Sequence, residues 1–242
     1  MYEELAPYYD ELFPASEASV AFLLQYCKVR ARVLDVACGV GAHAVKVAAV
    51  GNEVIGIDLD ARMIDLANER AAEGRTVFLQ ADMVDLAKSL SGYERFDLAY
   101  CLGNSVVHLS SVAEIRHFVE SVAEVLTGNG IFVTQMINFD CISAGRIPEL
   151  NPLQSSDGRI TFTRRYEAST NGEAIRFLTE LTVDDKIINS DSIPMVPVTS
   201  SELETIYQSG GFGDVSTFAD FSGNRFSSDS FMTIVVGKKT GR

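Results

Sequence analysis

Residues 32–41 read Arg32-Val33-Leu34-Asp35-Val36-Ala37-Cys38-Gly39-Val40-Gly41, an apolar run that ends in two glycines. Short aliphatic runs stopped by glycine read as buried strands. The next segment, Ala42 to Val50, carries apolar residues at helical spacing and is closed by Gly51, so strand, glycine turn and helix follow in order. Gly39-x-Gly41-x-x-Ala44 satisfies the loose dinucleotide fingerprint. Glycine there lets the chain turn tightly and lets a ligand approach where a Cβ would clash. Turn geometry alone also produces such matches, so the residues on either side must decide what binds.

The same alternation of strand and helix runs from about residue 16 to residue 140. Ser16 is placed to cap a helix through Cys27, Glu53 to Asp58 is a second strand, and Asp60 caps a helix that Gly74 ends. Thr76 to Gln80 and Phe96 to Cys101 are the third and fourth strands. A helix from Val112 to Leu126, stopped by the Gly128-Asn129-Gly130 turn, leads to a fifth from Ile131 to Ile137. Such alternation predicts a parallel sheet. Beyond Asp140 the pattern changes: Arg159 to Glu167 and Glu173 to Val183 alternate around Asn171-Gly172, an antiparallel hairpin signal. Ser201 and Glu204 predict a capping box opening a helix that closes at Gly210-Gly211. Two last strands, near Asp214 to Ala219 and Phe231 to Lys238, lack the crossover that a parallel pair requires. The fold class is α/β, a mostly parallel seven-stranded sheet with an antiparallel last strand. Residues 1–242 form one domain, with a β-rich insertion or lid over residues 141–196.

The 33 acidic against 20 basic residues give a net charge of −13, which repels phosphate backbones and anionic headgroups. Nucleic acid and membrane are therefore not expected partners; a small molecule is. No signal-peptide pattern or bilayer-length apolar stretch occurs, so a cytoplasmic location is expected. Cys27, Cys38, Cys101 and Cys141 have no zinc spacing and read as reduced thiols; no metal is expected. The sequence sets no oligomeric state.

Asp58 ends the second strand 58 − 41 = 17 residues after Gly41, near the spacing at which an acid accepts hydrogen bonds from ribose hydroxyls. Asp60 is better placed to cap the following helix, which frees Asp58 for a nucleoside. In order along the chain, the run from Arg32 to Gly41, then Asp58, Ala81-Asp82-Met83, and Phe96 to Cys101 resemble the motifs of class I S-adenosylmethionine-dependent methyltransferases. The resemblance covers about residues 30 to 140 and implies a Rossmann-like fold with S-adenosylmethionine as cofactor and S-adenosylhomocysteine as product. By that resemblance Ala37, Gly39, Gly41, Asp58, Leu59, Met63, Asp82 and Met83 face the cofactor, with Asp82 accepting from the adenine amino group.

Cys101-Leu102-Gly103-Asn104-Ser105-Val106-Val107-His108-Leu109 resembles a segment of the glycine N-methyltransferase group. The likeness implies that Leu102, Gly103, Ser105 and His108 face the cofactor and Asn104 the substrate. Two departures stand out. The first 27 residues hold no Lys or Arg to clamp the cofactor carboxylate, leaving backbone N–H groups or Tyr9 to do so, and Ile137 stands where that group has its glycine-binding Arg. Glycine is therefore not the expected acceptor. His108 is the candidate base and Asn104 the candidate orienting group. Arg164, Arg165 and Tyr166 read either as a solvated strand edge or as cover over the acceptor; alternation puts Arg164 and Tyr166 on one face and Arg165 on the other. A non-catalytic S-adenosylmethionine-binding domain and a nicotinamide-dependent oxidoreductase are the competing readings.

Overall fold

The computed structural model describes residues 2–72, 74–146, 150–168 and 175–241. Its strands are β1 (Arg32–Val36), β2 (Glu53–Asp58), β3 (Thr76–Gln80), β4 (Phe96–Cys101), β5 (Leu126–Ile137), β6 (Leu153–Gln154), β7 (Ile160–Ala168), β8 (Ile175–Val183), β9 (Lys186–Met195), β10 (Phe212–Phe218) and β11 (Met232–Lys239). Seven of them form one sheet in the order β10-β11-β5-β4-β1-β2-β3. Strand β11 runs antiparallel to both β5 and β10, while β1 pairs in parallel with β2 and β4. The order reverses at β1, and open sheets bind ligands in the crevice such a reversal leaves at the carboxyl ends of the strands.

Alternation along β1 sends Leu34 and Val36 to one face and Val33 to the other. The first face packs under the helices Val112–Val125 and Ser200–Ser209, burying Phe118, Phe132 and Tyr207. The second packs under Glu17–Leu24 and Ala42–Ala49, burying Phe22, Val47 and Tyr100. Strands β6 to β9 form a separate antiparallel sheet of four, inserted between β5 and β10 in sequence.

Three local expectations need correction. Gly128-Asn129-Gly130 is not a turn: β5 starts at Leu126 directly after the helix, and neither glycine has positive φ. Gly130 instead permits close packing, since a Cβ there would lie 2.9 Å from the Leu126 Cβ and 3.1 Å from the Phe96 carbonyl oxygen. The capping box lies two residues earlier than expected, with Thr199 as cap and Glu202 as its partner. Both positions match the Ser/Thr-x-x-Glu pattern, but Thr199 has the extended backbone of a cap (φ −74°, ψ 163°). The insertion is larger than one hairpin. Asp184 and Asp185, both left-handed (φ 48° and 59°), turn the chain from β8 into the unexpected β9, where Pro194 is tolerated because β9 is an edge. The Asn171-Gly172 turn lies outside the described residues.

Beneath the glycine turn, the Phe78 ring fills the space that side chains on two glycines would need. A Cβ on Gly56 would lie 2.6 Å from the ring and 3.0 Å from Cys38 Sγ; one on Gly41 would lie 2.6 Å from the same ring. Gly56→Ala is expected to cost about 1–3 kcal/mol through overpacking. Thermal denaturation should show it as a melting point lower by about 2–4 °C per kcal/mol; an unchanged melting point would contradict the close approach.

Candidate active site

The turn after β1 bends back through left-handed residues: Ala37 at φ 57°, Gly39 at 53° and Gly41 at 77°. Ala37 pays a steric cost of about 1–2 kcal/mol for that conformation, less than a bulkier side chain would. Gly41 caps the helix Ala42–Ala49. At the end of β2, Asp58 Oδ2 accepts from the Gly39 N–H at 2.8 Å and Oδ1 from the Asp60 N–H at 3.0 Å. These bonds tie the glycine turn to the second strand and leave lone pairs on both oxygens for further donors. Asp60 itself caps the next helix, accepting from the Arg62 and Met63 N–H groups.

A cavity of about 520 Å³ opens over these residues. Ala37, Gly39 and Asp58 line it from the first two strand ends, Met63 from the following helix, and Asp82 and Met83 from the turn after β3. Leu59 also lines it and is 69% exposed, an apolar wall with nothing over it. Asp82 caps the short turn Met83–Asp85 through Oδ1 to the Val84 N–H at 2.9 Å. Two carboxylates that accept hydrogen bonds, Asp58 and Asp82, with the apolar Leu59 and Met83 in the same lining, suit the hydroxyl and amino donors of an adenine nucleoside.

Under the turn lies a buried acid. Burial pushes Asp35 up to about 8, and the Asp58 charge adds to it while the Tyr100 hydroxyl works against it. Burial also raises the Asp58 carboxyl from its ordinary value, against the Asp60 and Gly39 N–H groups. His43, bonded at 2.9 Å to Ser19 Oγ, is pushed down to about 4 by burial and by Lys46. Tyr9 packs over the turn, its ring 3.5 Å from where a Cβ on Gly39 would sit. Burial, with the charges of Asp58 and Asp35, raises its hydroxyl to about 12, so it remains a donor.

A second cavity of about 220 Å³ shares Tyr9, Gly103 and His108 with the first. Gly103 stands at the joint with φ 75°, and no atom lies within 4 Å of a Cβ built on it. Its N–H donates to Gln135 Oε1 at 2.9 Å, and Asn104 follows, left-handed at φ 70°. The Asn104 amide is engaged at both ends: Oδ1 accepts from the Ile137 N–H at 2.5 Å and Nδ2 donates to the Tyr166 hydroxyl at 3.3 Å. It thereby links β4, β5 and β7. His108 closes the short turn Ser105–His108, and burial lowers its basicity. The segment before Ala15 spans the two sheets: Asp10 pairs with Arg70, Glu11 Oε1 accepts from the Ser156 N–H at 2.8 Å, and Phe13 meets Phe162 edge-on.

All the expected cofactor residues line the larger cavity except Gly41 and Leu102. Gly41 faces Phe78 and Ala67, where its missing side chain makes room for packing, and Leu102 packs into the core on the second face of the sheet. Asn104 and Ile137 line the smaller cavity, as do Arg164 and Tyr166, while Arg165 is exposed. The reading of Arg164 as a solvated edge is corrected, because the residue is half-buried and lines the cavity. Sequence reasoning missed Gln135, Phe162, Phe177 and Phe231. Phe162, Arg164 and Tyr166 share one face of β7 by period two, a signal that was available; Gln135 and Phe231 reach the cavity only through strand pairing.

Residues 33–130 match the family described as "Methyltransferase domain". The chain is similar to a glycine/sarcosine N-methyltransferase of Aphanothece halophytica, 26% identical over 210 residues that span 86% of this chain and 76% of that protein. Its fold is similar to that of the CcbJ methyltransferase from Streptomyces caelestis, with a TM-score of 0.81, 20% identity, and 99% and 98% of the two chains covered. It is also similar in fold to a S-adenosylmethionine-dependent methyltransferase from Clostridium acetobutylicum ATCC 824, with a TM-score of 0.80, 16% identity, and 99% of each chain covered. Among the described residues no helix is long and apolar enough to cross a membrane.

Proposed function

We propose that this chain works as a class I S-adenosylmethionine-dependent methyltransferase and methylates a nitrogen or oxygen of a small molecule seated in the 220 Å³ cavity. The observation that carries this reading is the joint between the two cavities at Tyr9, Gly103 and His108. A donor in one and an acceptor in the other would face each other there, as in-line displacement requires.

S-adenosylmethionine supplies the methyl group already activated on a sulfonium, so the protein's own work is alignment and proton handling. Asp58 would hold the ribose hydroxyls, Leu59 and Met83 would flank the adenine, and Asp82 would accept from its amino group. With no side chain at Gly103, both reactants can approach the joint. Asn104 acts as a positioning group, holding the end of β5 and the Tyr166 hydroxyl in place. Burial keeps the His108 imidazole neutral at pH 7, able to take a proton from the attacking atom. Glycine and sarcosine are not expected acceptors, because Ile137 offers no partner where the glycine N-methyltransferase group has its carboxylate-binding Arg.

Calorimetric titration tests the core of this reading. S-adenosylmethionine and S-adenosylhomocysteine should bind with micromolar dissociation constants and NAD should not; the reverse pattern would sink it. Release of S-adenosylhomocysteine on adding glycine or sarcosine would refute the statement about acceptors.

A further inference from the structure

The chain carries 33 acidic residues, yet the described lining of the 220 Å³ cavity includes none of them. It does include Arg164, the one permanently charged group in that lining. Arg164 comes from β7, paired there with Thr179 of β8, and is half-buried, with its guanidinium 5.7 Å from the centre of the Phe13 ring. One Nη donates to the Asn151 carbonyl oxygen at 3.0 Å, while Nε is buried without a hydrogen-bond partner. No carboxylate pairs with Arg164 among the described residues, and burial lowers its basicity. Partly desolvating a guanidinium with no counter-ion carries a cost, and an anion from a ligand would offset it. The rest of the lining is largely apolar, with Phe162, Phe177, Phe231, Ile137 and Met232 around the space.

We infer that the methyl acceptor is a small organic acid whose carboxylate pairs with Arg164 and whose apolar body fills the space between Ile137 and the phenylalanine rings. The inference rests on reading this cavity as the acceptor site. The cation absent at position 137 is supplied here from the inserted sheet, which sets the carboxylate in a different place and leaves room for a body larger than glycine's. A carboxylate could also come from the cofactor's methionine end, but Arg164 does not line the larger cavity.

Calorimetry on the full chain tests this in three arms. In the first, protein saturated with S-adenosylhomocysteine is titrated with aromatic and branched aliphatic amino and hydroxy acids, each beside its carboxamide. At least one acid should bind about tenfold or more tightly than its amide. In the second, Arg164→Met should abolish that preference and Arg164→Lys should keep part of it. In the third, Arg164→Met should leave affinities for S-adenosylhomocysteine and for 5′-methylthioadenosine, which has no carboxylate, within about threefold of wild type. The inference is overturned if no acid outbinds its amide in wild type, or if the preference survives in the methionine variant. It is overturned in favour of a cofactor clamp if that variant loses S-adenosylhomocysteine but keeps 5′-methylthioadenosine. Wild-type protein that binds no S-adenosylhomocysteine refutes the functional reading itself, and this inference with it. The acid-against-amide comparison in wild type stands even if a variant does not fold.

Discussion

Asp58→Ala is expected to weaken S-adenosylhomocysteine binding about a hundredfold or more. Two hydrogen bonds from ribose hydroxyls to an ionised carboxylate contribute about 1.5–3 kcal/mol each, and about 1.4 kcal/mol is a factor of ten in affinity. The same carboxylate also accepts from the Gly39 and Asp60 N–H groups, so its loss loosens the glycine turn as well. Asp58→Asn separates the two effects: it keeps the shape and one acceptor, and should lose about tenfold. The pH dependence has a definite sign. Burial raises the Asp58 carboxyl, and the ionised form is the better acceptor. Affinity should therefore hold at neutral pH and fall on acidification sooner than an ordinary aspartate would allow. Titration of both variants beside wild type decides the matter; an unchanged dissociation constant in the alanine variant would remove Asp58 from the site.

His108→Gln is expected to lower kcat by about 10²–10⁴-fold, the usual contribution of a positioned base. S-adenosylhomocysteine affinity should change by less than about tenfold, since glutamine keeps a polar side chain of similar reach. Burial lowers the His108 pKa from its ordinary 6.5. The neutral, proton-accepting form thus persists to lower pH than a solvated histidine would, and wild-type rate should drop only as pH falls through that lowered value. The variant should lose this acid limb. A variant whose rate profile bends at the same pH as wild type would show that the proton goes elsewhere.

The parallel half of the fold was legible because its signals are local. β2, β3 and β4 begin and end where Glu53, Asp58, Thr76, Gln80, Phe96 and Cys101 placed them. Ser16 and Asp60 cap the helices expected of them. Most of the larger cavity was readable for the same reason, since many of its residues sit on the turns directly after those strands. The smaller cavity was less so. Its walls come from β5, β7, β8, the segment before Ala15 and the residues leading into β11, and only tertiary pairing brings these together. β9 was missed because Lys186–Met195 mixes serine, asparagine, aspartate and proline, a composition that depresses strand propensity. What offsets it is pairing with β8 along nearly its whole length. The Gly128-Asn129-Gly130 error has the opposite cause: β5 already pairs at Leu126 with Phe96 and resumes at Ile131 with Leu98, so the three residues lie in a register shift within the strand and not in a turn before it.

The four-stranded sheet supplies Phe162, Arg164, Tyr166 and Phe177 to the smaller cavity and no side chain to the larger one. Mutational drift in β7 and β8 therefore alters the smaller chamber directly and reaches the larger one through the shared Tyr9, which packs in the same cluster as Phe162. The scaffold in this sense keeps two chambers on largely separate walls that meet at Tyr9, Gly103 and His108, so variation in the inserted sheet falls first on only one of them.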